Sequence, residues 1–242
     1  MSRLGEFLWQ RLTAWRSAQG LLPDPTSPTA ADLALFQGPG RRFLHVGCGP
    51  ARKPHVSPGL QGADWQEIRL DIDPAVSPDI VANLLDMTGV PEGTVEAVYS
   101  SHSIEHLYPH EVPMALAEFH RVLKPEGLLI LTCPDLQAVC RLVAEDQLDE
   151  PAYISPAGPI APLDILYGLR PAMAAGNLFM AHHTGFTLKT LIAACKAAGF
   201  GSVAGLRDSF ALWVLACKEP VSTTVLQQRA AEHLPPHTLP VP

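Results

Sequence analysis

Three histidines and a glutamate lie close together in the segment SSHSIEHLYPH, residues 100–110. His102, Glu105 and His106 match the H-x-x-E-H pattern, in which two histidines one helical turn apart bind zinc and the glutamate activates a water molecule. That pattern needs a stable helix, and Pro109 limits a helix directly after His106. We therefore predict that this segment is not a zinc-peptidase site, and we expect no metal ligands in the chain.

Imidazoles in this segment have a second possible use, because histidine titrates near neutral pH and can accept a proton from a substrate. A structural position between a strand and a helix is the alternative for His102 and His106. His182 and His183 precede a potential helix cap at Thr187. Capping and packing would explain this pair, but its place at the end of an irregular segment also favours the substrate side. The candidate proton acceptors are His102, His106 and His183.

A glycine loop follows an apolar strand in FLHVGCGP, residues 43–50. Glycine adopts backbone conformations closed to other residues and lets a ligand approach the main chain closely. In open α/β sheets, ligands bind beyond the carboxyl ends of the strands, near the point where the strand order reverses. Gly47, Cys48 and Gly49 are therefore candidate ligand-binding residues. Arg52 stands where a dinucleotide signature has its third glycine, which weighs against a nicotinamide or flavin enzyme.

An acidic residue follows the next strand in RLDIDP, residues 69–74. Asp71 comes roughly 20 residues after the glycine loop, the spacing at which a carboxylate in such folds binds ribose hydroxyls. A turn or cap before Pro74 is the alternative, and it fits Asp73 better than Asp71. Asp71 is therefore a candidate for binding a ribose.

The elements that must position these residues alternate between strand-like and helix-like patterns from Arg42 onward. GLLILTC, residues 127–133, is typical of a strand buried on both faces of a parallel sheet. EVPMALAEFHRVL, residues 111–123, has helical spacing, and Asp135 and Thr187 can cap two later helices. SVAGLR and FALWVLACK read as two last strands that can pair antiparallel. This alternation predicts a three-layer α/β fold.

Proline-rich segments divide the chain into parts. Residues 1–39 combine an apolar helical face, over residues 4–16, with a Pro-rich linker; the face predicts packing on the core or a flap over a pocket. Residues 40–218 form the predicted domain. Residues 147–183 interrupt its alternation and are too apolar for disorder, so we predict a packed insertion there, with short helices. Residues 219–242 are predicted as a polar tail that is loose at its end.

Composition argues against several classes of function. The net charge is −7 and no run of Lys or Arg is present, which disfavours binding to nucleic acid. No apolar stretch reaches the length of a membrane span, and the first residues do not read as a signal peptide. The five cysteines are scattered without a C-x-x-C pair, which favours reduced thiols. We expect a cytoplasmic protein without nucleic-acid or membrane partners.

Six segments, in this order, resemble the class I S-adenosylmethionine-dependent methyltransferases, in particular the bacterial group with a GCG loop, an EH pair after the fourth strand and RVLKPGG before the fifth. The segments are LHVGCGP (44–50), RLDIDP (69–74), VANLLDM (81–87), VEAVYSSHSIEHL (95–107), RVLKPEGLLILTCPDL (121–136) and HHTGFTLKTLIAACKAAGF (182–200). The resemblance implies a Rossmann-like three-layer sandwich with a seven-stranded, mostly parallel sheet of order 3-2-1-4-5-7-6, strand 7 being antiparallel. The short stretch between strands 2 and 3 leaves almost no room for the usual helix.

The resemblance also implies S-adenosyl-L-methionine as the cofactor. The loop of residues 47–49 would face its methionine part, and Asp71 would hold the ribose hydroxyls. Residues 83–84 would border the adenine, and the two serines that leave the fourth strand would lie near the sulfonium and the substrate. His45 replaces an acidic residue common in the first motif. The implied cofactor residues are His45, Gly47, Cys48, Gly49, Asp71, Ile72, Asn83, Leu84, Ser100 and Ser101.

These observations predict methyl transfer by in-line displacement to a small or medium-sized acceptor, with the insertion and the N-terminal helix forming the acceptor pocket. The protein would mainly align the reacting atoms, and a hydroxyl or ammonium acceptor would also need a proton acceptor. Two alternatives stay open. The replacement at His45 allows a non-catalytic cofactor-binding protein, and the acidic AEDQLDE, residues 144–150, is a hint of an aminopropyl-type transferase. The oligomeric state is left open.

Overall fold

The computed structural model describes residues 30–236. The helical face predicted over residues 4–16, most of the Pro-rich linker and the last residues of the predicted tail, from 237 onward, lie outside the described residues. Nine strands occur in the described part: β1 (Arg41–Val46), β2 (Trp65–Asp71), β3 (Ile80–Val81), β4 (Val95–Ser101), β5 (Leu123–Pro134), β6 (Tyr153–Ser155), β7 (Gly158–Ile160), β8 (Ser202–Asp208) and β9 (Ala211–Cys217).

Seven of these strands form one sheet in the order β3-β2-β1-β4-β5-β9-β8. Strands β1 to β5 run parallel, and β9 is antiparallel to both of its neighbours. Because β6 and β7 form a separate hairpin, the order counted over the seven sheet strands is 3-2-1-4-5-7-6. The predicted Rossmann-like fold and its antiparallel last strand are confirmed.

Helices cover both faces of this sheet. The α-helices are α1 (Ala30–Leu35), α2 (Val112–Val122), α3 (Leu136–Ala144), α4 (Pro162–Tyr167), α5 (Arg170–Ala174), α6 (Leu188–Ala197) and α7 (Thr223–His233). Short 3₁₀ helices occupy Lys53–His55, Pro58–Leu60, Pro74–Val76, Ile104–His106 and Leu178–Met180. None of the described helices is both long and apolar enough to cross a membrane.

Two hydrophobic cores lie on the two faces of the sheet. Leu44 and Val98 belong to the first core, which α2 and α6 close with Phe119 and Leu191 among other side chains. Phe43 of β1 and Ala97 and Tyr99 of β4 belong to the second core. Central strands with both faces covered must be apolar throughout, which explains the continuous apolar run in β5.

Two α-helices begin at the capping residues that the sequence predicts. Asp135 accepts a hydrogen bond from the Gln137 amide at 3.0 Å and caps α3, and Thr187 accepts one from the Thr190 amide at 3.3 Å and caps α6. Each cap satisfies an amide that the first helical turn would leave without a partner. The connection between β2 and β3 holds only the 3₁₀ helix Pro74–Val76, as its shortness implied.

The insertion of residues 147–183 folds as a hairpin, two short helices and a 3₁₀ turn. Ile160 and Ile165 pack against Val139 of α3 and form a small third core. Asp164 is buried and accepts bonds from the Arg170 guanidinium at 2.7 and 3.1 Å. The same carboxylate also accepts the amide of Ala161 at 3.0 Å. This paired charge ties the start of α4 to the start of α5, so the insertion has its own internal order.

The segment after Lys218 contains a helix that the sequence did not predict. Helix α7 begins at a Ser222 cap, in which the side chain accepts the Val225 amide at 3.3 Å. Its apolar side contacts the second core, where Leu234 is only 4% exposed. Most residues of this helix face solvent and are polar, which is why the composition of the segment indicated a tail.

We predict that Leu234→Ala lowers the free energy of unfolding by about 2–5 kcal/mol, since it leaves a cavity in the second core. Leu234 directly follows α7, and Val225→Ala, on the exposed side of that helix, is expected to change the free energy of unfolding by about 0.5 kcal/mol or less. Urea unfolding followed by circular dichroism measures both variants. Equal and small effects would show that α7 does not contribute to the folded core.

Candidate active site

The strand order reverses at β1, which has β2 on one side and β4 on the other. In open α/β sheets this is the place where the connecting loops separate and leave a crevice for a ligand. Gly47 follows β1, Asp71 ends β2 and Ser101 ends β4, so the three candidates lie at the same edge of the sheet. The structure thus brings Gly47, Asp71 and Ser101 from three strands to one edge of the sheet.

The glycine loop needs glycine for two different reasons. Gly47 and Gly49 have φ values of +58° and +48°, which L side chains adopt at a cost. A Cβ at Gly47 would also lie 2.2 Å from the Ser103 hydroxyl oxygen, whereas a Cβ at Gly49 would meet nothing within 4 Å. The Ser103 hydroxyl contacts the Gly47 carbonyl at 3.4 Å. The loop after β1 is therefore packed directly against the turn after β4.

Asp71 bonds to the glycine loop and to its own turn. Its Oδ2 accepts the Gly49 amide at 2.7 Å, and its Oδ1 accepts the Asp73 amide at 2.9 Å. An ionised carboxylate has about four acceptor positions, so two remain for the hydroxyls of a ribose. Asp71 is 8% exposed and is the last residue of β2. This arrangement fits the role that the resemblance implied for Asp71.

Arg69 was missed by the sequence reasoning and holds two loops of the crevice together. Its buried guanidinium donates to the carbonyls of Gly49 at 2.5 Å and Ala51 at 3.3 Å, and to that of Ser77 at 2.7 Å. Charged side chains are rarely buried unless their donors find partners. An arginine inside the otherwise apolar stretch IRLDI was the available signal.

His45 is buried in the second face of the sheet. Its Nδ1 lies 2.7 Å from Glu67 Oε1, and its ring packs edge-on against Tyr99 at 5.1 Å. Burial alone would raise the pKa of Glu67, but the bond to His45 and the amide of Lys53 hold that pKa below its ordinary value. The first motif lacks its common acidic residue, but the Glu67 carboxylate of β2 lies beside His45.

The remaining predicted cofactor residues differ in exposure. Ile72 is exposed beyond the end of β2, Leu84 is almost buried, and Asn83 accepts the Leu85 amide at 3.0 Å through Oδ1. Cys48 is buried, which raises the pKa of its thiol to about 11. Ser100 is completely buried, so its side chain does not line the crevice, whereas Ser101 is partly exposed.

Glu105 lies at the centre of the turn after β4. Its side chain is 1% exposed, and Oε1 lies 3.1 Å from Nδ1 of His102, whose own side chain is 51% exposed. Burial would raise the pKa of Glu105, but the bond to His102 and the nearby His106 and His182 hold that pKa below its ordinary value. The turn is a 3₁₀ helix of residues 104–106 with His102 outside it at φ +51°, so the helical zinc-peptidase geometry is not formed.

The end of the insertion is fastened onto this turn. The amides of His183 and Thr184 both donate to the Glu105 carbonyl, at 2.9 and 3.2 Å. His106 Nδ1 bonds the Ala181 carbonyl at 3.1 Å, and the His182 ring lies 4.9 Å from the His106 ring. Two segments distant in the sequence therefore form one cluster around the Glu105 carboxylate.

His183, the third predicted proton acceptor, stacks on Tyr108 with ring centres 4.2 Å apart. It lies beside the cluster, while His102 and His106 flank Glu105 directly. His182 was not among the predicted proton acceptors, yet it also lines a small pocket with Glu105, between α3 and the insertion. The adjacent histidines in the sequence gave no means of telling which of the two faces Glu105.

Comparisons with known proteins agree with this geometry. A family model described as a methyltransferase domain matches residues 44–131. No curated protein sequence matches the chain. Among solved structures, a SAM-dependent methyltransferase from Methanosarcina mazei is similar, with 15% identity, a TM-score of 0.50, and coverage of 80% of this chain and 100% of that chain.

Two further solved structures are similar at the level of the fold. A protein from Pyrococcus horikoshii OT3 has 15% identity and a TM-score of 0.50, over 76% of this chain and 85% of that one. The CMeT domain of the citrinin polyketide synthase has 12% identity and a TM-score of 0.51 over 75% of this chain. The present chain spans 47% of that last chain's length.

The fold with its crevice at the β1–β4 switch point is that of the Rossmann-like transferases. The family match begins within β1 and extends into β5, and it includes the glycine loop, Asp71 and the Glu105 turn. Residues 44–131 therefore match a methyltransferase domain, and the fold of the chain is similar to that of a SAM-dependent methyltransferase. The predicted resemblance to class I methyltransferases is confirmed by this match and by the fold, while the individual motifs stay predictions.

We predict that Gly47→Ala lowers the free energy of unfolding more than Gly49→Ala does, because only the former adds a clash with Ser103 to the cost of the positive φ. The φ cost alone is about 1–2 kcal/mol. Adding Ser103→Gly to Gly47→Ala removes the clashing atoms and should recover the difference between the two single variants. Urea unfolding measures the cycle, and additivity of the two changes would contradict the contact.

Proposed function

We propose that the chain transfers the methyl group of S-adenosylmethionine to a small or medium-sized acceptor, held between the Glu105 turn and the insertion of residues 147–183. The observation that carries the proposal is the contact of this turn with the glycine loop through Ser103 and Gly47. The Glu105 turn would then border both the proposed acceptor site and the proposed cofactor site.

The bound cofactor supplies an activated methyl group on a sulfonium with a neutral leaving group. The protein has to bind it at the glycine loop and Asp71, to hold the acceptor in line, and to exclude water. Alignment of two reactants of this kind can supply roughly 7–11 kcal/mol of the barrier. The insertion supports the exclusion of water, because it is fastened across the turn by two hydrogen bonds to Glu105.

His102 is the proton acceptor that the geometry favours. Its Nδ1 is held by the Glu105 carboxylate, and Nε2 makes no hydrogen bond within the described residues, on a side chain that is half exposed. A base oriented by a carboxylate in this way can take a proton from a hydroxyl or ammonium acceptor. His106 and His183 remain the second candidates, since they lie at the same wall.

The alternatives have less support. The acidic residues of AEDQLDE are exposed after α3, and Asp149 pairs with Arg170 at 3.0 Å, outside the crevice. That weakens the argument for an aminopropyl-type transferase. His45, which motivated a non-catalytic protein, bonds to Glu67 and leaves the glycine loop open. The net charge of −7 still disfavours a nucleic-acid acceptor.

Calorimetric titration with S-adenosylmethionine and S-adenosylhomocysteine tests the cofactor site. Asp71→Ala is expected to weaken both affinities by about 10–100-fold, since hydrogen bonds to a charged group are lost. Asp73→Ala is the matched control, because Asp73 caps the next turn and should leave both affinities nearly unchanged. Equal effects of the two variants would contradict the role of Asp71.

Release of S-adenosylhomocysteine, in the presence of hydroxyl- and amine-bearing small molecules, tests the acceptor side. With an active acceptor, His102→Gln should lower turnover by about 10²–10⁴-fold while cofactor affinity stays unchanged. His55→Gln, at an exposed histidine of the 3₁₀ helix Lys53–His55, is the control. Unchanged turnover in His102→Gln would transfer the role to another group.

A further inference from the structure

Glu105, His106 and His182 form a set of potential metal ligands. One ligand atom from each lies within 4.8 Å of the other two. Two imidazoles and one carboxylate are a donor set that suits Zn²⁺, Fe²⁺ and related cations. The set combines the turn after β4 with the last residues of the insertion, so no local sequence pattern contains it.

Both histidines are held in the form that a metal requires. Nδ1 of His106 donates to the Ala181 carbonyl at 3.1 Å, and Nδ1 of His182 donates to the Ile165 carbonyl at 2.9 Å. A carbonyl accepts only from a protonated nitrogen, so each neutral ring keeps its lone pair on Nε2. Metal-bound histidines almost always donate their second nitrogen in this manner, which fixes the ring orientation.

The glutamate has one oxygen without a partner. Oε1 of Glu105 bonds to His102, but Oε2 is buried and makes no hydrogen bond within the described residues. A buried carboxylate oxygen without a donor is costly, and its position in a native site calls for an explanation. A cation between Oε2 and the two Nε2 atoms would satisfy it, while His102 would orient the other oxygen.

The cluster also has an open side. Glu105 and His182 line a pocket whose other walls include Leu136, Val139 and Phe186. Three protein ligands with a free position facing a pocket are the arrangement of catalytic rather than structural metal sites. Bonds of about 2.1 Å at tetrahedral angles put ligand atoms about 3.4 Å apart, so small side-chain rotations would bring the three onto one ion.

We propose that Glu105, His106 and His182 bind one divalent transition-metal cation, represented by Zn²⁺, beside the acceptor pocket. The ligand set differs from the H-x-x-E-H pattern weighed above, because His182 from the insertion replaces His102. The proposal departs from the expectation of no metal ligands in the chain. The proposal concerns binding alone and does not require that the chain transfers a methyl group.

The test is a titration of the full chain, freed of metal with a chelator, with Zn²⁺ by calorimetry and with Co²⁺ by visible absorption, both without cofactor. We expect saturation near one ion per chain and the absorption bands of a low-coordinate Co²⁺ site. Glu105→Gln and His182→Ala should each weaken the affinity by at least about 10–100-fold. That loss is typical when a residue that only orients a metal ligand is replaced, and these two variants replace the ligands themselves. His183→Ala, the neighbouring histidine outside the set, should leave it unchanged.

Circular dichroism of each variant without metal separates loss of a ligand from loss of the fold. If Glu105→Gln does not fold, His182→Ala carries the comparison, since it alters the edge of the insertion. Absence of saturable binding overturns the proposal. Binding that is equally weakened by His183→Ala, or not weakened by His182→Ala, overturns it as well. Failure of cofactor binding in the separate titration would leave this result untouched.

Discussion

The burial of the Glu105 carboxylate is the constraint on which the turn after β4 and the end of the insertion depend. A buried charge is costly unless hydrogen bonds and opposite charges surround it. His102 and His106 come from the same turn, but His182 must come from elsewhere, and the Glu105 carbonyl holds the chain that brings it. The insertion is therefore ordered by two sources: its small apolar core on α3 and the polar contacts of this one residue.

The cofactor side depends on a second close contact, between Gly47 and Ser103. Because no atom can be added at Gly47, the loop after β1 and the turn after β4 keep a fixed separation. Arg69 fixes the far end of the same loop by bonding to Gly49, and Asp71 bonds to its amide. The crevice is thus built from main-chain groups held by buried side chains, which favours a preorganised site over one formed on binding.

Local patterns were sufficient for most of the fold. The apolar run of β5, the caps at Asp135 and Thr187 and the short β2–β3 connection depend on neighbours in sequence, and the structure agrees with each. Helix α7 was missed because its apolar contacts are few and its polar side dominates the composition. The proximity of His182 to Glu105 could not be predicted from the sequence. It depends on how the insertion of residues 147–183 folds back onto the turn after β4, and the spacing of apolar residues does not indicate that path.

The same limit separates the two groups of candidate residues. Gly47, Asp71 and Ser101, the candidates for the cofactor side, follow or end strands whose order is set by the fold, so their motifs were enough to predict that they lie together. The groups proposed to face the acceptor come partly from the insertion, whose Ile160 and Ile165 pack with Val139 of α3 and with Phe210. A change in this insertion could alter the acceptor pocket without disturbing the sheet. Acceptor specificity would then reside mainly in residues 147–183, with Glu105 as the fixed point to which any such insertion must attach.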